Sequence, residues 1–149
     1  MKKNNCSIKK MLTFFFAISF AFIVNGNLVE IEENKTIIYV DMVADLFHSG
    51  HVEFFKKAKE FGNYLLVGLC SDQDCTSYKR KPVLTLEERV KAVEACSYVD
   101  LVVPAVPLII TDEFIDKYQI DFVVHGDDFD KEKLKYYYGV AIDRGIFKT

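Results

Sequence analysis

Residues 36–61, TIIYVDMVADLFHSGHVEFFKKAKEF, decide the fold of this chain. The run Thr36–Val40 is apolar and rich in β-branched residues, which is typical of a strand buried on both faces. From His51 to Phe61 apolar side chains recur at helical spacing with charged residues between them, and Gly62 follows as a helix C-cap would. A buried strand that leads through a short loop into an amphipathic helix is part of a crossover unit. The stretch therefore predicts an α/β domain with a parallel sheet.

The same alternation continues along the rest of the chain. Further strands are predicted over residues 64–70, 98–103, 121–124 and from 145 onward, and further helices over 85–95, 112–118 and 131–143. Thr85 is a suitable N-cap, Glu88 completes a capping box with it, and Thr111 is the predicted cap of the next helix. The polar stretch over 71–82 is either a loop or a short helix. We therefore predict a Rossmann-like, doubly wound parallel sheet of about five strands, with ligands bound outside the carboxyl ends of its strands.

The chain has three histidines, and all of them fall where such a sheet places ligand-binding residues. His48 and His51 stand between the first strand and the first helix, and His125 follows the fourth strand, so all three should lie on one rim. A helix N-terminus with Gly50 between two imidazoles offers N–H donors and close backbone approach to a phosphate. Two other interpretations stay open: the pair caps the helix or lies on the surface, or it ligates a metal with Asp45 and His125. Neither a GxGxxG motif nor a Walker lysine motif is present.

The segment Asp45-Leu46-Phe47-His48-Ser49-Gly50-His51 resembles the HxGH signature of the cytidylyltransferases, within the wider HIGH-type nucleotidyltransferases. The resemblance extends over roughly 37–149, because other family motifs follow in the same order and spacing. These are Cys70-Ser71-Asp72, Lys79, Glu88-Arg89, Tyr98-Val99-Asp100 and His125-Gly126-Asp127-Asp128. Within the family the chain looks most similar to the enzymes that activate phosphoethanolamine or phosphocholine.

The resemblance implies a reaction and a set of site residues. CTP and a phosphomonoester would give a CDP-alcohol and pyrophosphate, with Mg²⁺ as the cofactor. By their match to the family's motifs, the catalytic residues would be His48, His51 and Lys79. The nucleotide would be bound by Asp41, Val43, Ala44, Ser49, Gly50, Arg89, His125, Gly126 and Asp128, and the substrate by Asp45 and Tyr78.

Three of these assignments have a second interpretation. Lys79 shares a basic loop with Arg80 and Lys81, so it is alternatively an ordinary solvated lysine, and the lysine of the family's motif is not fixed within that loop. Arg89 is equally suited to a structural ion pair. Asp45 would orient a histidine or help to place Mg²⁺ or the substrate, since carboxylates and aromatic side chains attract the cationic head of an amino alcohol.

Several positions depart from the family's pattern. Met42 and Ala44 stand where a glycine and an aromatic residue are usual, and Ser97 stands where an arginine often precedes the Tyr-Val-Asp motif. The chain also ends at Thr149, just before an Arg-Thr-x-Gly-Ile-Ser-Thr type motif that binds the triphosphate would begin. We therefore expect a domain truncated at its C-terminus. The alternative to an active enzyme is then a fragment that binds nucleotide without turnover.

The N-terminus has the composition of a targeting segment. Lysines near the start precede an apolar run over 11–24 and then Asn25-Gly26-Asn27, a pattern typical of a secretory signal or a membrane anchor. We therefore predict a signal-like or anchor segment and linker over 1–34 and the cytidylyltransferase-like domain over 35–149. CTP is a cytosolic metabolite, so the localisation stays open, and an exported metal-binding domain is a further alternative.

Charge and cysteine spacing restrict the partners. The net charge of −3 gives no indication of nucleic-acid binding. The expected partners are CTP and a small phosphomonoester, and we further predict membrane association through 11–24 and a homodimer of the kind common in the family. The four cysteines form no CxxC pair, so neither a zinc ribbon nor a redox motif is indicated, and no metal ligands are assigned.

Overall fold

The computed structural model describes residues 20–24, 27–31 and 35–149, and the chain forms two compact units, residues 1–33 and 34–149. In the first unit, strand β1 (Phe20–Val24) pairs antiparallel with strand β2 (Asn27–Ile31), a pairing that the sequence analysis did not predict. Residues 1–19, which carry most of the signal-like segment, lie outside the described residues. Within the described ranges, no helix is long and apolar enough to cross a bilayer. The signal or anchor stays a prediction.

The second unit alternates strands and helices along the chain. Its strands are β3 (Ile37–Met42), β4 (Tyr64–Leu69), β5 (Leu101–Pro104), β6 (Phe122–Val124) and β7 (Phe147–Lys148), and its helices are α1 (Ser49–Ala58), α2 (Asp72–Tyr78), α3 (Leu86–Glu94), α4 (Asp112–Tyr118) and α5 (Lys131–Asp143). Neighbouring strands are parallel throughout, in the order β5-β4-β3-β6-β7. The predicted Rossmann-like α/β fold with a five-stranded parallel sheet is confirmed.

Burial on both faces explains why the central strand is a continuous apolar run. From Ile37 to Val40 no side chain is more than 1% exposed. On one face Val40 packs in a cluster with Phe55 of α1. On the other face the ring of Tyr39 contacts that of Phe114 in α4, with centroids 5.2 Å apart. Helices on both faces are the arrangement that parallel sheets require.

The helix boundaries follow from their caps. Thr85 caps α3 with Glu88 completing the capping box, and Thr111 caps α4, as predicted. Helix α2 begins after Ser71, whose hydroxyl accepts the backbone N–H of Asp74 at 3.0 Å, so the polar stretch over 71–82 is a short helix followed by a loop. Helix α1 begins earlier than predicted, because a histidine serves as its N-cap.

Gly62 is a C-cap, as predicted, but it caps a 3₁₀ turn that continues helix α1, and its N–H donates to the carbonyl of Lys59. Helix α1 continues into one 3₁₀ turn over Lys59–Phe61, and the backbone of Gly62 after it is fully extended. A Cβ atom there would lie 2.6 Å from the carbonyl oxygen of Thr36 and 2.7 Å from Cδ1 of Ile38. Glycine is required at this position by the close approach of the chain to the start of β3.

Two aspartates satisfy backbone donors at the amino ends of the strands. The prediction of a strand from Tyr98 was too long, because β5 begins only at Leu101. Asp100 before it accepts the backbone N–H of Leu65 at 2.7 Å. Asp121 accepts the N–H of Ile37 at the same distance, 2.7 Å, ahead of β6. Asp100 therefore belongs to the edge of the sheet opposite to that of the histidines.

The strand order opens a crevice beside β3. From β3 the chain winds outward through β4 to β5, and it then returns to the other side of β3 with β6 and β7. At such a reversal the loops after the two central strands leave in opposite directions and open a crevice at the carboxyl ends. The residues that follow β3 and β6 are therefore the ones that a ligand would meet.

Candidate active site

A cavity of about 520 Å³ opens at this edge of the sheet. Most of the predicted site residues line it: Asp41, Val43, Ala44, Asp45, His48, His51, Tyr78, Lys79, His125, Gly126 and Asp128. Met42, whose side chain departs from the family's pattern, lines it as well. Ser49, Gly50 and Arg89 do not. The structure thus brings together the three histidines and the basic loop from three separate segments of the chain.

His48 and His51 are held by a reciprocal cap at the start of α1. The backbone N–H of Gly50 donates to Nδ1 of His48 at 3.0 Å, and the backbone N–H of His48 donates to Nδ1 of His51 at 3.2 Å. The two imidazole centroids are 4.2 Å apart, and the ring of Phe47 stacks on that of His51 at 5.3 Å. The histidines therefore cap the helix and line the cavity with the same rings.

Gly50 does not lie where its predicted role in the nucleotide site requires. Its N–H is already engaged by Nδ1 of His48, and it does not line the cavity. A Cβ atom at position 50 would lie 2.8 Å from Cε1 of His48. The glycine leaves space for the His48 ring, and the adjacent Ser49 is not part of the cavity lining.

The environment of His51 favours its uncharged form. Burial lowers the pKa of His51 below the ordinary value of 6.5, and the neighbouring His48 lowers it further. At neutral pH this ring is a hydrogen-bond donor without a positive charge.

His125 forms the opposite wall of the cavity. Its Nδ1 lies 2.8 Å from the carbonyl oxygen of Gly126, so this nitrogen donates. Oδ1 of Asp128 is 3.6 Å from the same nitrogen. The ring packs between Phe129, with centroids 4.5 Å apart, and Tyr138, at 5.1 Å. His125 is therefore held by both a hydrogen bond and aromatic neighbours.

Asp41, at the end of β3, is a partly buried carboxylate with one firm partner. The hydroxyl of Tyr138 donates to its Oδ1 at 2.6 Å. Burial raises the pKa of Asp41 above its ordinary value, while the hydrogen bond from Tyr138 and the nearby His125 lower it. Burial also raises the pKa of Tyr138, so its hydroxyl stays protonated and remains a donor.

Sequence reasoning missed the contribution of α5. Tyr137 and Tyr138 both line the cavity although they are consecutive in a helix. The backbone of Tyr138 leaves helical geometry (φ −121°, ψ 16°), and the carbonyl of Tyr137 accepts the N–H of Ile110 at 3.0 Å. The kink thus falls at the two consecutive tyrosines that line the cavity. The run of three tyrosines from Tyr136 was the visible signal, but the kink depends on a contact with a distant loop.

Asp45 organises the basic loop rather than a histidine. Its carboxylate accepts the backbone N–H groups of Val83 and Leu84, each at 3.1 Å, and lies 3.7 Å from the guanidinium of Arg80. These backbone donors, and then Arg80, hold the pKa of Asp45 below its ordinary value. The expectation that Asp45 orients a histidine is thus replaced by a loop anchor at the edge of the cavity.

The basic loop brings two cations to the cavity. Lys79 and Arg80 both line it, and Nζ of Lys79 lies 5.6 Å from the ring centroid of Tyr78. The hydroxyl of Tyr78 reaches Sγ of Cys70, 3.9 Å away. Burial raises the pKa of Cys70 to about 12, so this thiol in the cavity wall is protonated at neutral pH and not a nucleophile.

Arg89 lies beneath the site, not in it. Its side chain is 0% exposed. Nη1 donates to the carbonyl of Val43 at 2.6 Å, and Nη2 donates to the carbonyl of Cys70 at 2.9 Å and to Asp72 at 2.6 Å. The prediction that Arg89 contacts nucleotide is therefore corrected in favour of its alternative, a structural ion pair. It ties the loop after β3 to the loop after β4.

The metal-binding interpretation lacks a ligand set in the described part of the chain. Among those residues, no three or more histidine, cysteine, aspartate or glutamate side chains are arranged to hold a metal ion. In particular, Nδ1 of His48 and Nδ1 of His51 are already occupied by backbone donors.

Comparison with known proteins identifies the family of this domain. The model of the cytidylyltransferase-like family matches residues 41–142. The ethanolamine-phosphate cytidylyltransferase of Arabidopsis thaliana is 42% identical over 120 residues, which cover 76% of this chain and 28% of that protein. Choline-phosphate cytidylyltransferase 2 of the same plant is 40% identical over 104 residues, or 68% of this chain and 34% of that protein. The chain thus spans about a third or less of the length of these curated relatives.

Solved structures show the same fold at low identity. The lipopolysaccharide core biosynthesis protein of Thermoplasma volcanium superposes with a TM-score of 0.62 at 20% identity, covering 76% of this chain and 91% of that chain. Pantothenate synthetase of Thermus thermophilus gives a TM-score of 0.51 at 14% identity, covering 77% of this chain and 54% of that chain.

Proposed function

The chain belongs to the cytidylyltransferase-like family, and from that premise we propose that it transfers CMP from CTP to phosphoethanolamine or phosphocholine. The products are a CDP-alcohol and pyrophosphate, and the reaction supplies a phospholipid precursor. One observation carries the proposal: His48, His51, Lys79 and His125 line a single cavity at the switch point of the sheet.

The cavity gathers the kinds of side chain that bind a triphosphate. Lys79 and Arg80 come from the segment after β4, His48 and His51 come from the start of α1, and all four line the same cavity. Point cations and N–H donors are the groups that stabilise phosphate oxygens. We place the triphosphate against these four side chains, with His48 and His51 as the donors nearest to the reacting phosphorus.

The chemistry needs no covalent enzyme intermediate. An oxygen of the substrate phosphate attacks the α-phosphorus of CTP and forms a new P–O bond. The bond from that phosphorus to the oxygen that bridges to the β-phosphate breaks, and pyrophosphate leaves with its electron pair. Charge builds on the non-bridging oxygens and on the leaving oxygen, so fixed donors and cations lower the barrier. The chain's contribution is to position the two phosphates and to stabilise this charge.

The alcohol end of the substrate would lie toward α5. Asp41 offers a carboxylate there, the hydroxyl of Tyr138 donates to it at 2.6 Å, and Tyr137 and Phe129 line the same cavity. A carboxylate with aromatic faces attracts an ammonium group. Asp128 and Gly126, on the loop after β6, are proposed as nucleotide contacts on that side, together with Val43 and Ala44 on the loop after β3.

Mg²⁺ is proposed as the cofactor. The described residues form no metal site of their own, so most ligands would come from the triphosphate, with one carboxylate of the cavity. Mg²⁺ supplies charge neutralisation when bound to the phosphates. Loss of turnover on chelation and its recovery with added Mg²⁺ would test this.

Pyrophosphate release from CTP tests the activity. The full chain is assayed with phosphoethanolamine, with phosphocholine and with neither. Release that depends on one of the two supports the proposal, and CTP binding by calorimetry without release under any condition favours the alternative, a nucleotide-binding protein without turnover. Lys79→Ala should lower turnover strongly. Its matched control is Lys91→Ala, a lysine on the outer face of α3 that pairs with Glu87.

A homodimer and membrane association through residues 11–24, or a cleaved signal there, remain proposals from the sequence. Sedimentation of the purified full chain tests the first. Co-sedimentation with vesicles, compared with a chain in which the apolar run is replaced, tests the second.

A further inference from the structure

Gly50 stands between two histidines, and its surroundings are set by one of them. A Cβ atom at position 50 would lie 2.8 Å from Cε1 and 3.0 Å from Nδ1 of His48. The ring is there because its Nδ1 accepts the N–H of Gly50 at 3.0 Å. Any residue larger than glycine therefore pushes the imidazole away from its cap.

The reciprocal cap determines which nitrogen of each ring carries the proton. A backbone N–H can only donate, so Nδ1 of His48 and Nδ1 of His51 must each present a lone pair to the N–H groups of Gly50 and His48. In the neutral ring the proton is then on Nε2, and this Nε2–H is the donor that each side chain can offer to a ligand. Protonation of Nδ1 in either ring would break its bond in the cap.

His125 has the opposite arrangement. Its Nδ1 lies 2.8 Å from the carbonyl oxygen of Gly126, which can only accept, so Nδ1 carries the proton and Nε2 keeps a lone pair. The cavity therefore combines two imidazoles that donate through Nε2 with one that accepts through it.

We propose that Gly50 is a positioning residue for CMP transfer: it permits the reciprocal cap that holds His48 and His51 as neutral Nε2–H donors for the nucleotide phosphates. The inference rests on the proposed function for the identity of the ligand, but not for the state of the rings. Donors fixed before the ligand arrives need no reorganisation as charge develops on phosphate. The lowered pKa of His51, caused by burial and then by His48, keeps that ring in its neutral form.

Nitrogen NMR of the full chain labelled with ¹⁵N-histidine tests the tautomers directly. Above neutral pH, His48 and His51 should each show an unprotonated Nδ1 and a protonated Nε2, and His125 should show the reverse. In Gly50→Ala the two nitrogens of His48 should shift toward a mixture of tautomers. The matched control is Gly139→Ala in α5, where an added Cβ meets nothing within 4 Å, and its spectrum should not change.

Kinetics connect the tautomers to the reaction. Gly50→Ala should lower kcat by roughly 10²-fold, as the loss of one fixed donor does, with a smaller change in KM for CTP. His48→Asn retains an acceptor oxygen for the cap but lacks the Nε2–H. It should show the same loss of kcat with an intact helix by circular dichroism.

Each outcome bears on the proposal. A protonated Nδ1 on His48 or His51 in the wild-type protein overturns it, even where Gly50→Ala does not fold. The proposal is also overturned if Gly50→Ala folds and either its ¹⁵N-histidine spectrum or its kcat is the same as in the wild type. If the tautomers are as expected but the protein releases no pyrophosphate, the arrangement of the rings is supported and the proposed function is rejected. If the enzyme is active but the tautomers differ, the proposed function is supported and the role of Gly50 is rejected.

Discussion

Replacement of Arg89 by methionine should destabilise the domain by about 2–4 kcal/mol. The guanidinium is 0% exposed and bonds the carbonyls of Val43 and Cys70 as well as Asp72. Methionine fills similar space but leaves both carbonyls without this donor. A buried acceptor that loses its partner costs about 1–3 kcal/mol.

The three contacts do not contribute equally. The carbonyl of Cys70 is in a buried bond and has no access to replacement water, whereas the bond to Val43 is only partly buried. The carboxylate of Asp72 is 46% exposed, so water replaces its lost partner at little cost. Methionine also avoids burying the unpaired Nε of Arg89. Because of these offsets, the expected loss of stability is smaller than the sum of two full penalties for unpaired buried carbonyls.

Urea denaturation of the full chain, followed by circular dichroism because the chain has no tryptophan, measures the effect. A lower midpoint at an unchanged slope reports a loss of stability. Lys91→Met on the exposed side of the same helix is the control and should leave the midpoint unchanged. A loss below about 1 kcal/mol in Arg89→Met would refute the assignment of Arg89 as the tie between the two loops.

Three further changes test other parts of the structure. Gly68→Ala should cost about 1–3 kcal/mol in thermal or urea denaturation, because its Cβ would lie 2.5 Å from the hydroxyl oxygen of the buried Tyr39. Asp45→Ala should speed tryptic cleavage after Arg80 by roughly tenfold or more, since the anchor of the loop is lost and cleavage follows the open population. Lowering the pH below 6.5 should reduce stability more in the wild type than in His51→Gln, because the unfolded ring takes up a proton that the folded ring, with its lowered pKa, resists.

Each of these has an outcome that contradicts it. Gly68→Ala as stable as the wild type would mean that Tyr39 can move. Equal cleavage rates for Asp45→Ala and the isosteric Asp45→Asn would show that the hydrogen bonds of that side chain do not hold the loop. Parallel stability curves for the wild type and His51→Gln between pH 5 and 7, from chemical denaturation, would remove the predicted linkage.

The fold was predictable where local signals agree with what tertiary structure requires. The capping box of Thr85 and Glu88 set the start of α3, and the apolar run after Thr36 matches a strand covered on both faces. Two details went beyond the local signals that were used, one set by an unusual local cap and one by a long-range contact. His48 is an unusual N-cap, so α1 was predicted to begin too late. Gly62 does end the helical segment as predicted, but the reason that only glycine fits there is the nearby carbonyl of Thr36, which lies far away in sequence.

The candidate site was predictable to the extent that its residues lie in motifs. The histidines and Lys79 were found in this way, because the carboxyl ends of parallel strands bring such segments together. Arg89 shows the limit: a cation in a motif suggested ligand contact, but only burial reveals that backbone carbonyls occupy it. Tyr137 and Tyr138 were missed because a regular helix would not turn consecutive rings to one cavity. Their kink depends on a hydrogen bond from a loop far away in sequence.

The sheet topology determines from which side each group of residues reaches the cavity. Since β4 and β6 flank β3 on opposite sides, the loop after β4 brings Lys79 and Arg80 from one side, and the loop after β6 brings Asp128 and the acceptor face of His125 from the other. Asp41 at the end of β3 lies between them. Under the proposed function, a substrate with a phosphate at one end and an ammonium group at the other would lie with its phosphate toward Lys79 and its ammonium group toward Asp41. Asp41 is then the carboxylate that the ammonium end of an amino alcohol would meet, and a substrate without an amine would forgo that contact.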